Sequence, residues 1–457
     1  MNKAIMIAAT GSGCGKTTIT CALLKALKDS GVNVAAFKCG PDYIDPIFHS
    51  TMLGVPSKNL DLFFTDREKT RELFFLDNNS DISVVEGVMG LYDGISPDSD
   101  EASSYDLARA LDIPVILLVD AKGMGRSLLA VIKGFLDMDR DSRIKAVIFN
   151  RMSPSYFATM KGIVEKETGL TVLGYFPYDE RVSLESRYLG LTLPEESDGI
   201  KEKLKIAADS LKESVDIEKL NELCADLSAE GKDISAKNVY GISERWKDKG
   251  INIAVARDEA FCFYYEDNLR MLEAAGAKLV YFSPLKDVKI PDNAAGIILG
   301  GGYPENFLTQ LSQNVSMLES IREALNKGMP SLAECGGFMY LHDYIYDKEG
   351  NPYKMLGAIK GECRYTGHLV RFGYVEAEDK AGSFITADKR KIKGHEFHYY
   401  DSSNNGDSCT ETKRSGKIWE AGHLSDNHFW AYIHLYYPSN PIMLETFMER
   451  CHDYIRG

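Results

Sequence analysis

The chain has 457 residues, 44% hydrophobic and 26% charged, which fits a soluble globular protein of two or three domains with no low-complexity tract. Its net charge of −14 argues against a nucleic-acid footprint or an anionic membrane surface, yet leaves space for an anionic substrate in a local basic cleft. Nine cysteines without C-x-x-C or zinc-type spacing favour a reduced, cytoplasmic chain over a disulfide framework, and neither a signal peptide nor a bilayer-spanning run is expected.

The first expected element is a buried strand over 4–9. Gly11-Ser-Gly-Cys-Gly15-Lys16-Thr17-Thr18 follows, then an apolar-periodic helix over 17–30. Strand, Gly-rich loop, Lys-Thr and helix make a phosphate cradle. Backbone N–H groups of Gly11, Ser12, Gly13, Cys14 and Gly15 receive phosphate, and Lys16 reaches the β/γ oxygens. The Thr17 hydroxyl holds Mg²⁺, and Thr18 completes the ATP-binding set. The strict P-loop spacing is missed because Thr10 stands where its first Gly would. The bland alternative is a Gly-rich turn with a chance Lys-Thr.

Further strands are expected over 33–38, 82–86, 115–119, 146–149 and 171–175, with helices between them, for example over 102–111. This alternation predicts a doubly wound, mostly parallel sheet, whose ligands bind at the carboxyl edge of the strands. Three strand ends carry chemistry there. Lys38-Cys-Gly-Pro41-Asp42-Tyr-Ile-Asp45 offers Asp42 and Asp45 for Mg²⁺ or substrate, or simply a Gly-Pro-Asp turn. Val85-Glu86-Gly87-Val-Met-Gly90-Leu-Tyr-Asp93 places Glu86 at the nucleotide edge as a direct or indirect Mg²⁺ group. Asn150 ends a later strand, where an amide can read adenine or merely close a turn.

Residues 200–247 read as charged helices, then a polar linker over 228–250. The βα pattern restarts with strands over 252–257, 278–282, 296–299 and 331–335, and helices over 266–275 and 315–327. A β-rich part follows over 355–436. The strand over 331–335 runs into Cys335 and two glycines, the pattern of a sharp strand-to-helix turn with a thiol at its tip. The helix that follows would favour thiolate. His434 is the candidate base, distant in sequence. Gly300-Gly301-Gly302 offers N–H groups for an oxyanion, as does Gly336. A buried structural Cys and a flexible Gly loop are the alternatives, and His395 and His398 have no assigned role.

Six ordered motifs then coincide: Thr10–Thr18, Phe37–Asp45, Val85–Gly94, Gly300–Glu305, Ala333–Tyr340 and Gly394–His398. Together they resemble the cobyrinic acid a,c-diamide synthase family over nearly the whole chain. The resemblance implies an α/β fold of two doubly wound domains. These are a P-loop, dethiobiotin-synthetase-like ATP domain over 1–195 and a class I glutamine amidotransferase domain over 250–445, with a helical segment and linker over 196–249 and a tail over 446–457. It implies ATP-, Mg²⁺- and L-glutamine-dependent amidation of the a and c acetates of a corrinoid tetrapyrrole in cobalamin biosynthesis. Cys335 is then the glutaminase nucleophile, with His434 raising its nucleophilicity. Gly301, Gly302 and Gly336 form the oxyanion and glutamine site. Thr17, Asp42 and Glu86 form the metal site, and Asp42, Asp45 and Asp93 the acyl-phosphate site.

One departure stands out. The family has His-Leu-His where this chain has His434-Leu-Tyr436, and many class I amidotransferases place Glu at that last position; Tyr436 offers no carboxylate. The loop Lys38-Cys-Gly-Pro-Asp42 separates the chain from the sister enzyme that makes cobyric acid. Nickel-sirohydrochlorin and hydrogenobyrinic acid remain alternative macrocycles. Two rivals come from other classes. A partition-type ATPase switch would bring a signature Lys between Thr10 and Gly15, which is absent. A binding protein with a dead amidotransferase domain conflicts with the presence of both Cys335 and His434. The expected partners are corrinoid, ATP and glutamine, without nucleic acid or membrane, and a homodimer is compatible with the sequence.

Overall fold

The computed structural model describes residues 2–76, 78–182, 194–231, 234–381 and 391–457. It divides into two compact units, Met1–Ile234 and Ser235–Gly457. In the first, seven parallel strands are β1 (Lys3–Ala9), β2 (Val34–Cys39), β3 (Ser57–Leu60), β4 (Ile82–Glu86), β5 (Val115–Asp120), β6 (Ile144–Asn150) and β7 (Thr171–Phe176). They lie in the order β3-β2-β4-β1-β5-β6-β7, with β8 (Ala225–Asp226) pairing antiparallel to β1. The strand sequences are almost continuously apolar because both faces are covered by helices. Strand order reverses between β4 and β1, beside β5, so the ends of β1, β2 and β4 open at the switch point.

β3 is the strand that periodicity hides. Its sequence Ser-Lys-Asn-Leu reads as polar, but it is an edge strand with Lys58 and Asn59 buried. Asn59 donates its amide to the carbonyls of Gly40 and Asp42, which fixes the loop that follows β2. The helix Pro194–Ser214 begins the segment read above as helical linker. Its Leu204, Ala207, Ala208 and Leu211 share one core with Leu23, Leu24 and Leu27 of the first helix, Lys16–Asp29. A buried leucine is worth roughly 1.5–3 kcal/mol, so this segment belongs to the core of its unit.

The second unit takes the end of that segment, from Ser235 onward. Ser243, Trp246 and Arg245 bind the Glu445 carboxylate, tying residues 243–246 to the final helix, Pro441–Arg456. The stretch 446–457, read as a tail, lies mostly within this helix and buries Phe447, Met448 and Cys451. The central sheet runs Lys278–Phe282, Asn252–Ala256, Gly296–Leu299, Ser331–Glu334, His428–Ala431, all parallel, with His423–Leu424 antiparallel at the edge. Two smaller antiparallel-rich sheets occupy the region read as β-rich. Both units are therefore α/β with mostly parallel central sheets. Among the described residues no helix is long and apolar enough to cross a membrane.

Candidate active sites

In the first unit β1 ends at Ala9, and the loop Thr10–Gly15 leads into the helix Lys16–Asp29. Gly13 and Gly15 have φ of 74° and 88°, in the left-handed region that side chains resist. Gly15 has a second constraint. A Cβ there would lie 2.3 Å from the Asn150 amide nitrogen, which donates to the Cys14 carbonyl at 2.8 Å. Asn150 thus braces the loop, and its Oδ1 accepts from the Arg151 N–H, so in this state both amide atoms are engaged on backbone.

Lys16 donates to the carbonyls of Gly11, at 3.0 Å, and Met89. Burial lowers its pKa, with help from Lys38, while Glu86 and Asp93 oppose the shift. Thr17 donates its hydroxyl proton to Glu86 Oε1 at 2.8 Å, which leaves its oxygen lone pairs for a cation. Asp42 accepts from the Ile44 N–H and Asp93 from the Gly90 N–H, so both shape their own loops.

Lys38 stands at the centre of this edge, a residue quoted in a motif but given no role by sequence reasoning. Its ammonium lies 2.5 Å from Asp45 Oδ2 and 3.0 Å from Glu86 Oε1, with all three side chains buried. Burial works against its charge, but Glu86, Asp45 and Asp42 outweigh burial, so Lys38 stays protonated. Burial also works against Glu86, yet Lys38 and His49 hold it ionised, well below the usual carboxylate range. Asp45 moves the other way, raised by burial and by Glu86. His49 was also missed; it is fully buried, with Nε2 3.5 Å from Glu86 Oε2. No signal short of the fold pairs a helix His with a strand-end Glu.

Among the described residues no group of three His, Cys, Asp or Glu is placed to hold a metal alone. The donor set nevertheless suits Mg²⁺, which takes few protein oxygens and completes its shell with phosphate and water. Among the described residues the buried Glu86 Oε2 faces His49 Nε2 at 3.5 Å but accepts no hydrogen bond, which leaves carboxylate capacity at this edge.

In the second unit Ser331–Glu334 enters Cys335, which has φ 47° and ψ −103°, and the helix Gly336–Tyr340 leaves. A non-glycine residue in that conformation is strained, the mark of a nucleophile elbow. The elbow is locked by backbone. Cys335 N–H donates to Ala431 O and Gly337 N–H to Gly300 O, and a Cβ on Gly337 would lie 2.0 Å from Leu299 O. The helix has only five residues, and burial pushes the Cys335 thiol well above its usual range, with Glu305 adding to the shift. The expected thiolate bias is thus overridden in the resting site, because desolvation outweighs the short helix.

Gly301 and Gly302 pair antiparallel with Phe263 and Phe261, beside the elbow. A Cβ on Gly301 would lie 2.3 Å from His434 Cε1, and one on Gly336 would lie 3.2 Å from Gly302 N. So the structure brings His434, Gly301, Gly302, Gly336 and the elbow together. Burial lowers the His434 pKa to about 3, with His395 and His398 adding repulsion. The Tyr436 hydroxyl donates to buried Asp267 at 3.0 Å. Glu334, directly before Cys335, lies with Oε2 4.0 Å from His434 Nδ1.

Comparison with known proteins matches both units to family models. Residues 5–191 match the CobQ/CobB/MinD/ParA nucleotide binding domain, and residues 252–441 the CobB/CobQ-like glutamine amidotransferase domain. The cobyrinate a,c-diamide synthase of Caldanaerobacter subterraneus subsp. tengcongensis is 39% identical over all of both chains. That of Listeria innocua is 40% identical over 97% of this chain and 98% of its own. The chain belongs to the cobyrinate a,c-diamide synthase family. The Picrophilus torridus member is 40% identical over 98% of this chain and 99% of its own. Membership makes the chain a ligase that couples a nucleotide-binding domain to a glutamine amidotransferase domain.

Proposed function

We propose that the chain converts cobyrinate to its a,c-diamide with ATP and glutamine, using Cys335 as the glutaminase nucleophile and the β1–β2–β4 edge as the phosphoryl-transfer site. The observation that carries this reading is the elbow at Cys335 with His434 against Gly301, in a chain related to the family along its full length. Cys335 Sγ attacks the glutamine amide carbon as His434 takes the thiol proton. His434 returns that proton to the leaving nitrogen, ammonia departs, and water cleaves the thioester. N–H groups near Gly301, Gly302 and Gly336 hold the oxyanion.

At the other site the loop Gly11–Thr18 holds ATP, with Asn150 bracing it, and Lys16 binds the β/γ oxygens once phosphate displaces its carbonyl partners. Thr17 would hold Mg²⁺ with Glu86 behind it and Asp42 nearby, and the ion supplies neutralising charge to the transferred phosphoryl group. The loops that carry Asp42, Asp45 and Asp93 take the substrate carboxylate, with Lys38 beneath them holding Asp45 and Glu86 in place. A substrate carboxylate oxygen attacks the γ-phosphorus and ADP leaves, and ammonia then attacks the acyl carbon, loses a proton and expels phosphate to give the amide. Ammonia must be used before water protonates it, because ammonium is not a nucleophile.

The test uses the full chain with Cys335→Ala. Glutamine-dependent amidation is expected to vanish, and amidation with concentrated ammonium at slightly alkaline pH to persist. Products are resolved by mass as mono- and diamides, with cobyrinate, hydrogenobyrinate and nickel-sirohydrochlorin as parallel substrates. A folded variant dead with both nitrogen sources would refute the two-site reading, and turnover confined to another macrocycle would refute cobyrinate. A homodimer and a cytoplasmic location are part of the same proposal.

A further inference from the structure

Glutaminases of this type need a group that turns the base histidine and fixes its tautomer. The imidazole must present a bare nitrogen to the thiol, which requires its proton on the other nitrogen. Position 436 does not provide that group here. Tyr436 donates to Asp267 Oδ2, and Tyr240 donates to Asp267 Oδ1 at 2.9 Å.

We infer that Glu334 is the positioning residue for His434, its carboxylate facing Nδ1 so that Nε2 is left to take the Cys335 proton. The inference rests on the roles proposed above for Cys335 and His434. Three observations carry it. Glu334 Oε2 is 4.0 Å from His434 Nδ1, and both side chains are almost wholly buried. The other oxygen, Oε1, accepts from the Tyr437 hydroxyl at 3.3 Å, and the Leu435 backbone N–H adds a further bond to the carboxylate. The carboxylate is thus gripped by Leu435 and Tyr437, the first and third residues after His434. That neighbourhood is in turn clamped by Asn268, which donates to Leu435 O at 2.7 Å and accepts from Tyr437 N–H at 2.8 Å.

The register explains the encounter. Glu334 pairs with Ala431 in the parallel sheet, and three residues later the chain delivers His434. A carboxylate that other families supply after the histidine is supplied here from the residue before the cysteine. The 4.0 Å separation is longer than a hydrogen bond, but such contacts in ligand-free sites tighten when the substrate binds. The proton moves from Sγ to Nε2 as the S–C bond forms, then from Nε2 to the departing nitrogen as the C–N bond breaks. Glu334 acts in its ionised form, whose share grows as pH approaches about 8 because burial raises its pKa; in that form it gives and takes no proton and stabilises the imidazolium in between.

The experiment is a double-mutant cycle on glutamine hydrolysis by the full chain. Glu334→Gln is expected to lower kcat on the order of 10²-fold, with KM for glutamine within about twofold of the parent. In a His434→Ala background the same change is expected to cost nothing further, because its only route of action is gone. Tyr436→Phe is expected to stay within about threefold of the parent kcat. A parental kcat in Glu334→Gln, or an equal loss in the His434→Ala background, would overturn the inference. If Glu334→Gln does not fold, Glu334→Asp and Tyr437→Phe replace it. Both are expected to lose kcat at constant KM, and parental kcat in both overturns the proposal. Full glutaminase activity in His434→Ala is a different failure: it removes the base assignment on which the inference stands.

Discussion

Glu334 shows how one buried acid sets opposing demands. Burial raises its pKa from 4.5 to about 8, only partly offset by Tyr437 and the Leu435 N–H. His434, Cys335, Tyr264 and Tyr437 are titratable groups that share its surroundings. Between those two values the folded chain keeps a proton that the unfolded chain has released. Its contribution to stability is therefore full at low pH and is lost as pH rises towards about 8, then levels. The expected fall is on the order of a few kcal/mol. Glu334→Gln has no proton to release, so its urea midpoint is expected to change less between pH 5 and pH 9, and to exceed the parent's at pH 9. Parallel midpoints in the two proteins would contradict this. The pairing of Glu334 with His434 was not legible in the sequence, although both residues stood in quoted motifs. Their proximity follows from the sheet register of Glu334 with Ala431, and a register has no signature in either segment alone. Cys335 itself was legible, because a strand followed by Cys-Gly-Gly encodes its own turn.

At the scale of elements, the strands with unbroken apolar runs were read to within a residue or two, for example β4 and Gly296–Leu299. β3 was missed because an edge strand carrying Lys58 and Asn59 has no apolar run to find. The helix Pro194–Ser214 was read as helical but set outside the first domain, because its core contacts come from a narrow stripe that includes two alanines. Lys38 joins three such elements: β2, the helix Ile44–Met52 through Asp45, and β4 through Glu86. Lys38→Met would leave two buried carboxylates without their cation. A loss of about 3–5 kcal/mol is expected, read from denaturant unfolding. Because Glu86 also accepts from Thr17, the Mg²⁺ concentration for half-maximal amidation is expected to change as well. Unchanged unfolding and Mg²⁺ titrations together would show that the cluster holds neither the elements nor the site.

Across the whole molecule, two chemistries occupy two separate cores, each with its own parallel sheet. The division makes their failures separable. Lys16 contacts the carbonyls of Gly11 and Met89 in its own unit. Lys16→Ala is expected to abolish amidation with either nitrogen source while glutamine hydrolysis continues, measured as glutamate release against diamide by mass. Amidation at the parental rate would remove the P-loop from the reaction. The resting state of Cys335 carries a last consequence for anyone seeking to block the enzyme. Its sulfur is buried and held as the neutral thiol, and seven of the other eight cysteines are buried as well. Small alkylators and peroxide will find little to attack in the idle protein. An electrophile shaped like glutamine would set its carbon against the sulfur while His434 takes the thiol proton, so selectivity against this enzyme lies in molecular mimicry and not in warhead reactivity.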